Sequence, residues 1–304
     1  MIREKLTKSG GLLEADFFPV WDYGRRMPDR APKTKPSTEA KKKYNLMQTV
    51  KRFIRLINAN FGKTDYFMHV TYKPENAPQT EKEARRDMAN YIRRVKTKRQ
   101  SELKKQKEKL AAVRAAAELM PDNVVFKESI KQIKKKIKKL KAPFKNFCVL
   151  ERVTYKSGRF KGKNNWHFHL FLTGGLEDTV MEDMWTGGIR CNCDNYRPDT
   201  FGPEAAALYI SKDPQGSRRY SYSRNLSKPD VKHKDGYVTR RTVEQMAKHR
   251  TDDKEYWEKR YKGYKFIRCY NRYNEYNGNW YVSVVMYKSD TEITPKWEFS
   301  EWIE

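Results

Sequence analysis

The sequence predicts a mixed helix-and-strand fold whose strands pair as antiparallel hairpins. Strand-like apolar runs at 144–155 and 165–175 enclose a basic, glycine-containing loop, which is typical of a β-hairpin. A second pair of runs, at 263–273 and 279–288, encloses an Asn-Gly-Asn turn. Apolar residues recur at helical spacing over 37–62. Helices and paired strands therefore both belong to this chain.

The other elements follow from capping residues, turn residues and periodicity. Ser37 or Thr38 can cap the first helix, and Thr80 opens a second. The N-terminal piece LLEADFFPVWDY predicts one strand. Further predicted elements are a strand at 65–72, a short helix at 176–185, a strand at 188–196, a helix at 204–214, a loop or edge strand at 218–229 and a helical stretch at 241–261.

The segment 97–141 differs from the rest of the chain in composition. Its part from 101 to 141 holds 13 basic and 5 acidic side chains. Apolar residues stand at heptad-like steps on both sides of Pro121-Asp122-Asn123, which predicts an inserted antiparallel helical hairpin. Two interpretations stay open here: a solvated arm, or a basic lever that grips DNA or a partner.

The charge balance indicates an anionic partner. Lys and Arg number 65 against 38 Asp and Glu, a formal net charge of +27, and 19 Tyr and 7 Trp accompany the charge. Basic groups bind phosphates and aromatic faces stack on unpaired bases, so nucleic acid is favoured over a merely solvated surface. Four cysteines and the lack of a long apolar run predict a cytoplasmic protein without membrane contact.

The stretch WHFHLF presents two histidines on one face of a strand. Alternate residues of a strand share a face, so His167 and His169 point one way and Phe168 the other. Two imidazoles can bind a divalent metal. Glu151 interrupts an apolar run in the strand expected to pair with this one, and it could complete the ligand set. The alternative is a pair of core histidines with Glu151 facing solvent.

A second candidate site lies in the predicted helix 204–214. Tyr209 and Lys212 are three residues apart, which places them on one helical face. A tyrosine hydroxyl can attack a phosphodiester when a metal polarises the phosphate and a cation steadies the charge. The pair gains weight because it follows the histidine pair by about forty residues.

Taken in order, Glu151, His167-Phe168-His169 and Tyr209 to Lys212 resemble the signature of the HUH endonuclease superfamily. More narrowly, the chain is similar to rolling-circle replication initiators of small phages and plasmids, over roughly residues 10 to 230. The resemblance implies an α+β fold with a central antiparallel sheet and helices packed on one side. The inserted helical hairpin has no counterpart in the minimal family pattern.

The resemblance also implies the roles of the site residues. Glu151, His167 and His169 would bind Mg²⁺ or Mn²⁺. Tyr209 would attack the phosphate at the nicking site, leaving a 5′-phosphotyrosine and a free 3′-OH, and Lys212 would orient or neutralise charge there. The predicted helix offers no second tyrosine, so a single-tyrosine enzyme is expected.

The segment after the tyrosine helix predicts the contacts with DNA. Basic groups there can bind phosphates and tyrosines can stack on bases, although Tyr220 and Tyr222 can equally be core. The predicted DNA-binding residues are Arg218, Arg219, Tyr220, Arg224 and Lys228.

The expected organisation is an N-terminal strand and connector (1–38), an endonuclease domain (39–290) and a C-terminal tail (291–304). The expected function is metal-dependent nicking of single-stranded or origin DNA in a bacterial host cell, with a host helicase and polymerase as partners, because no Gly-rich ATP-binding loop is present. The alternatives are a relaxase or transposase of the same superfamily, and a non-catalytic nucleic-acid-binding protein.

Overall fold

The computed structural model describes residues 1–21, 38–120, 123–156, 158–188, 190–196 and 220–288. These residues form an α+β fold with two antiparallel sheets and six helices. The strands are β1 Ile2–Ser9, β2 Leu12–Pro19, β3 Tyr66–Thr71, β4 Asn146–Thr154, β5 Asn164–Leu172, β6 Arg190–Asn195, β7 Tyr220–Tyr222, β8 Asp230–Asp235, β9 Tyr264–Asn274 and β10 Asn279–Lys288. The helices are α1 Glu39–Asn60, α2 Glu81–Leu119, α3 Val124–Lys141, α4 Asp178–Asp183, α5 Arg240–His249 and α6 Lys254–Arg260.

The described residues cluster into two compact units. One unit joins the N-terminal segment through Asn60 to the segment that begins at Ser227, and the other comprises the residues between them. The predicted bounds of an endonuclease domain, 39–290, stay a prediction, but the N-terminal strands belong to the same unit as the segment that begins at Ser227. The reason is long-range: β2 pairs with β10 in antiparallel register, and no local pattern encodes a pairing between the two ends of a chain.

The first unit contains a five-stranded sheet in the order β8-β1-β2-β10-β9. One face packs against α5 and α6, where Trp257 is fully buried beside Phe17. The other face packs against α1 through Leu12 and Tyr287. The sequence does not predict two strands of this sheet. In β1 the run of charged residues Arg3, Glu4 and Lys5 hides the apolar alternation, and in β8 all residues are exposed.

The second unit contains a sheet in the order β6-β3-β5-β4-β7, so β5 is its central strand. One face forms a large apolar core with α2 and α4, in which Tyr91 and Phe168 are fully buried. The predicted hairpin of β4 and β5 and the predicted short helix α4 are confirmed. The predicted strand at 188–196 is β6, and the predicted edge strand is β7.

The predicted helical hairpin is confirmed, but its first helix does not begin near residue 97. It is the continuation of helix α2, which begins at Glu81. Helix α2 runs for 39 residues without a break, starting at a capping box made by Thr80 and Glu83. Arg99 of α2 donates to the Lys139 carbonyl oxygen of α3 at 2.7 Å, and Glu102 lies 3.5 Å from Lys136. As the residue number rises in one helix it falls in the other, so the two helices are antiparallel.

None of the helices in the described ranges combines the length and the apolar character needed to cross a lipid bilayer. Helix α2 is long enough, but it carries charged side chains along its whole length.

The carboxylate of Glu4 is buried beneath α6 and depends on two partners. The Tyr261 hydroxyl donates to Glu4 at 2.6 Å, and Arg260 lies 3.3 Å from the other carboxylate oxygen. Burial and the Glu4 carboxylate raise the pKa of Tyr261 far above its ordinary value, so the hydroxyl remains a donor.

We therefore expect Tyr261→Phe to lower the free energy of unfolding by about 1–3 kcal/mol, because a buried carboxylate loses a hydrogen bond. Chemical denaturation measured by circular dichroism tests this. Tyr276→Phe is the matched control, since Tyr276 is fully exposed. Equal stabilities of the two variants would contradict the assignment.

Candidate functional site

The central strand β5 carries the histidine pair, and its alternation is as predicted. Phe168 and Leu170 point into the core shared with α2. His167 and His169 therefore lie on the opposite face of the sheet. His169 is only 5% exposed on that face. A polar face in the middle of a sheet requires partners for its buried polar groups.

The partners of His169 come from the two flanking strands. Its Nε2 lies 3.1 Å from a carboxylate oxygen of Glu151 on β4, and its Nδ1 lies 3.2 Å from Nδ1 of His69 on β3. The strand register explains both contacts, because His69 is directly opposite His169 and Glu151 is directly opposite His167. Both ring nitrogens of His169 are thus engaged.

His167 occupies the neighbouring position on the same face. Its Nδ1 lies 3.3 Å from the Thr71 hydroxyl of β3, and Glu151 faces it across the ladder from β4. Since Thr71 engages Nδ1, Nε2 is the ring nitrogen left to face a ligand. His167 and Glu151 are both partly exposed, so this end of the site is reachable from solvent.

The environment favours neutral imidazoles. Burial lowers the pKa of His69, and the neighbouring His169 lowers it further. Burial also lowers the pKa of His167, with Glu151 acting in the opposite direction. Neutral imidazole is the form that accepts a hydrogen bond at one nitrogen or binds a metal. At neutral pH both side chains are therefore in the ligand-competent form.

Aromatic rings border the polar cluster along the same sheet face. Phe67 contacts the His69 ring edge-on, with ring centroids 4.6 Å apart, and packs against Phe171 at 4.5 Å. Further along β4, Phe147 stacks on Tyr220 and Tyr222 of the edge strand β7. Apolar walls of this kind lower the local dielectric and strengthen the polar contacts beside them.

The predicted site residues have different outcomes. Glu151, His167 and His169 are brought together, as the strand pairing requires. Tyr209 and Lys212 lie outside the described residues.

The predicted DNA-binding residues are divided in the same way. Arg218 and Arg219 are also outside the described residues, whereas Tyr220 stacks on Phe147 in β7. Arg224 and Lys228 are both exposed, but they belong to different units. A joint surface formed by the five residues therefore stays a prediction.

His69 is a member of the polar cluster that the sequence does not predict. The strand over 65–72 was predicted, and the signal within it was available: Met68 and Val70 alternate with His69 and Thr71. The apolar pair faces the core, so His69 had to share the polar face. Only the pairing of β3 with β5 places it beside His169.

The cluster offers donors that could hold a divalent cation, although the described part of the chain contains no group of three or more His, Cys, Asp or Glu side chains arranged around a metal position. Two adjacent ligands about 2.1 Å from an octahedral ion stand roughly 3 Å apart. The 3.1 Å separation between His169 Nε2 and Glu151 is compatible with that spacing. Imidazole with carboxylate suits Mn²⁺ better than Mg²⁺, which prefers an all-oxygen shell.

Comparisons of this chain with family models, curated proteins and solved structures found no match.

We expect His69 and His167 to titrate below the ordinary histidine pKa of about 6.5, because burial disfavours their charged forms. Since the unfolded chain then binds more protons than the folded one, their contribution to stability is complete above about pH 6.5. It is lost as the pH falls from there towards the lowered folded-state pKa values. Titration by NMR of ring ¹⁵N shifts, in native buffer and in denaturant, measures this difference. Folded midpoints at or above the unfolded ones would contradict it.

Proposed function

We propose that this protein is a metal-dependent single-strand DNA endonuclease of the HUH type that nicks and transfers DNA strands and initiates rolling-circle replication of a phage or plasmid. One observation carries the proposal: His169 lies between Glu151 and His69 on the polar face of a central antiparallel strand, with His167 beside it. This arrangement supports the resemblance of the ordered motifs, in which Tyr209 and Lys212 follow the histidine pair.

Glu151, His167 and His169 would hold Mg²⁺ or Mn²⁺, and a bound ion would supply Lewis-acid polarisation of the scissile phosphate. With Nε2 of His169 acting as a metal ligand, the ring proton would lie on Nδ1 and be donated to Nδ1 of His69. His69 must then be neutral, which agrees with its lowered pKa. His69 is thus a positioning residue: it fixes the tautomer and orientation of His169.

The chemical step belongs to Tyr209. Its hydroxyl oxygen would form a bond to phosphorus and lose its proton, while the bond from phosphorus to the 3′ oxygen breaks. The leaving oxygen takes up a proton and becomes a free 3′-OH, and the 5′ phosphate stays linked to the tyrosine. Lys212, three residues along, would neutralise charge at the phosphate. A polymerase can extend the 3′-OH.

Side chains around the polar cluster would keep water out of the site and bind the DNA strand. The rings of Phe67 and Phe171 border the imidazoles and keep water from the inner side of the site. Tyr222 on the edge strand is 40% exposed, and its ring would stack on an unpaired base. Arg224, also exposed, is a donor for a backbone phosphate.

We predict that Tyr209→Phe abolishes the covalent protein–DNA adduct and leaves binding of single-stranded DNA unchanged. The assay incubates the full chain with labelled oligonucleotides, including candidate origin hairpins, and Mn²⁺, and resolves the products on a denaturing gel. Tyr222→Phe is the control, and it should still form the adduct because its ring is kept. An adduct that persists in Tyr209→Phe would show that another residue is the nucleophile.

A second prediction separates ligands from the positioning residue. His169→Ala should lose the metal and the activity together. His69→Gln should weaken Mn²⁺ binding by about 10- to 100-fold, the usual effect of removing the outer partner of a metal-bound histidine. Calorimetry of Mn²⁺ binding, without DNA, measures both effects.

Higher Mn²⁺ should restore the cleavage rate of His69→Gln but not that of His169→Ala. Unchanged Mn²⁺ affinity in both variants, or full wild-type cleavage in the presence of chelator, would remove the metal from the mechanism. A relaxase or transposase of the same superfamily would use the same cleavage chemistry, and replication of an origin plasmid distinguishes those alternatives from an initiator. A non-catalytic protein would bind DNA without any adduct.

A further inference from the structure

Helix α3 carries a straight row of lysines on one side. All five are exposed, and they follow one another at steps of four, three, four and three residues. Such steps keep side chains on one line along a helix. At about 1.5 Å per residue the row extends roughly 21 Å. We call it the lysine row, and its members are Lys127, Lys131, Lys134, Lys138 and Lys141.

Packing against α2 holds the lysine row towards solvent. The apolar side of α3 is buried at Ile133, Ile137 and Leu140, each one position before a lysine of the row. One position is about 100° of rotation, so the row lies beside the contact with α2 rather than within it. Because α2 covers the apolar stripe of α3, the large exposed apolar side chains of this helix are confined to its first turn, at Val124 and Val125, which is too small a face for a lipid surface.

The opposite flank of α3 is also basic, since Lys135 and Lys139 are exposed there, but it includes a lysine that acids neutralise. There Lys136 is paired with acids, 3.5 Å from both Glu102 and Glu177. Within the row, Lys131 contacts Glu128 at 3.7 Å, and both side chains are largely exposed. An exposed pair of this kind contributes little and is readily exchanged for a stronger anion. The row is therefore a continuous line of positive charge along the arm.

We propose that the lysine row binds the sugar-phosphate backbone of duplex DNA, independently of sequence. It would be a second DNA-binding surface in addition to the polar cluster on β5. The proposal rests on the proposed function only for the choice of DNA as the polymer. Phosphates of one B-form strand are spaced about 3.4 Å along the axis, so a 21 Å row spans roughly six of them.

A duplex fits the row better than a single strand does. Surfaces for unpaired strands combine cations with aromatic platforms, and the row consists of lysines alone. The row is held straight by a helix, which matches a regular backbone rather than a flexible one. The neighbouring α2 also keeps α3 from entering a groove by itself, so contacts go to phosphates and carry no base specificity.

The test measures duplex affinity as a function of salt. A labelled 20-base-pair duplex of arbitrary sequence is titrated with the full chain in EDTA between about 50 and 200 mM NaCl, using fluorescence anisotropy. Changing all five lysines of the row to Gln should reduce the slope of log K against log salt by about four to five, near 0.9 for each lost phosphate contact. Gln keeps the helix propensity of Lys, and changing the same five to Arg should keep the slope.

A matched set removes the same charge from the other unit. It changes to Gln five exposed lysines there, and its slope should stay close to that of the wild type: Lys232, Lys234, Lys254, Lys259 and Lys262. An equal loss in both sets would mean that bulk charge binds the duplex and would overturn the proposal. An unchanged slope in the α3 set would also overturn it.

The same variants are titrated with a single-stranded oligonucleotide. The proposal expects the α3 set to bind it nearly as well as the wild type does and to form the Tyr209 adduct on it. An equal loss for single-stranded and duplex DNA would assign the row to the unpaired strand and would overturn the duplex proposal. Because the duplex titration contains no metal and involves no cleavage, its result does not depend on whether the nickase chemistry is correct.

Discussion

The register between three adjacent strands is the constraint on which the polar cluster depends. With His69 opposite His169 and Glu151 opposite His167, two imidazoles and a carboxylate meet in a hydrogen-bonded chain. A slip of one residue in either ladder would turn His69 or Glu151 into the apolar core and bring Val70 or Leu150 to the polar face. The core therefore maintains the site, because the burial of Phe168 and its neighbours fixes the register.

The two faces of this sheet differ in polarity. The face that packs on α2 and α4 is apolar and excludes water, and it holds large rings such as Tyr91 and Trp185 in contact. The opposite face keeps a buried histidine whose two nitrogens are both engaged. Buried polar groups with incomplete partners are costly, so the two partners of His169 hold its ring in one orientation.

The helical hairpin is joined to the same core through its base. Arg99 is buried where α2 meets the C-terminal end of α3, donates to the Lys139 carbonyl and lies 5.8 Å from the Phe144 ring. Burial lowers the pKa of its guanidinium, and the Asp65 carboxylate opposes that change. Because α2 continues without a break from the core to the arm, the position of the lysine row is coupled to the sheet that carries the histidines.

The sequence by itself determined the elements whose information is local. The alternation in WHFHLF, the cap at Thr80, the paired strands around Asn277-Gly278-Asn279 and the heptad-like stripes of the hairpin are all present as predicted. Only the tertiary structure decided which strands are neighbours. In the tertiary structure β2 pairs with β10, His69 lies beside the histidine pair, and the described residues form two units. The physical reason is that pairing between distant segments depends on the total burial of both sheet faces, and no short window of sequence contains that quantity.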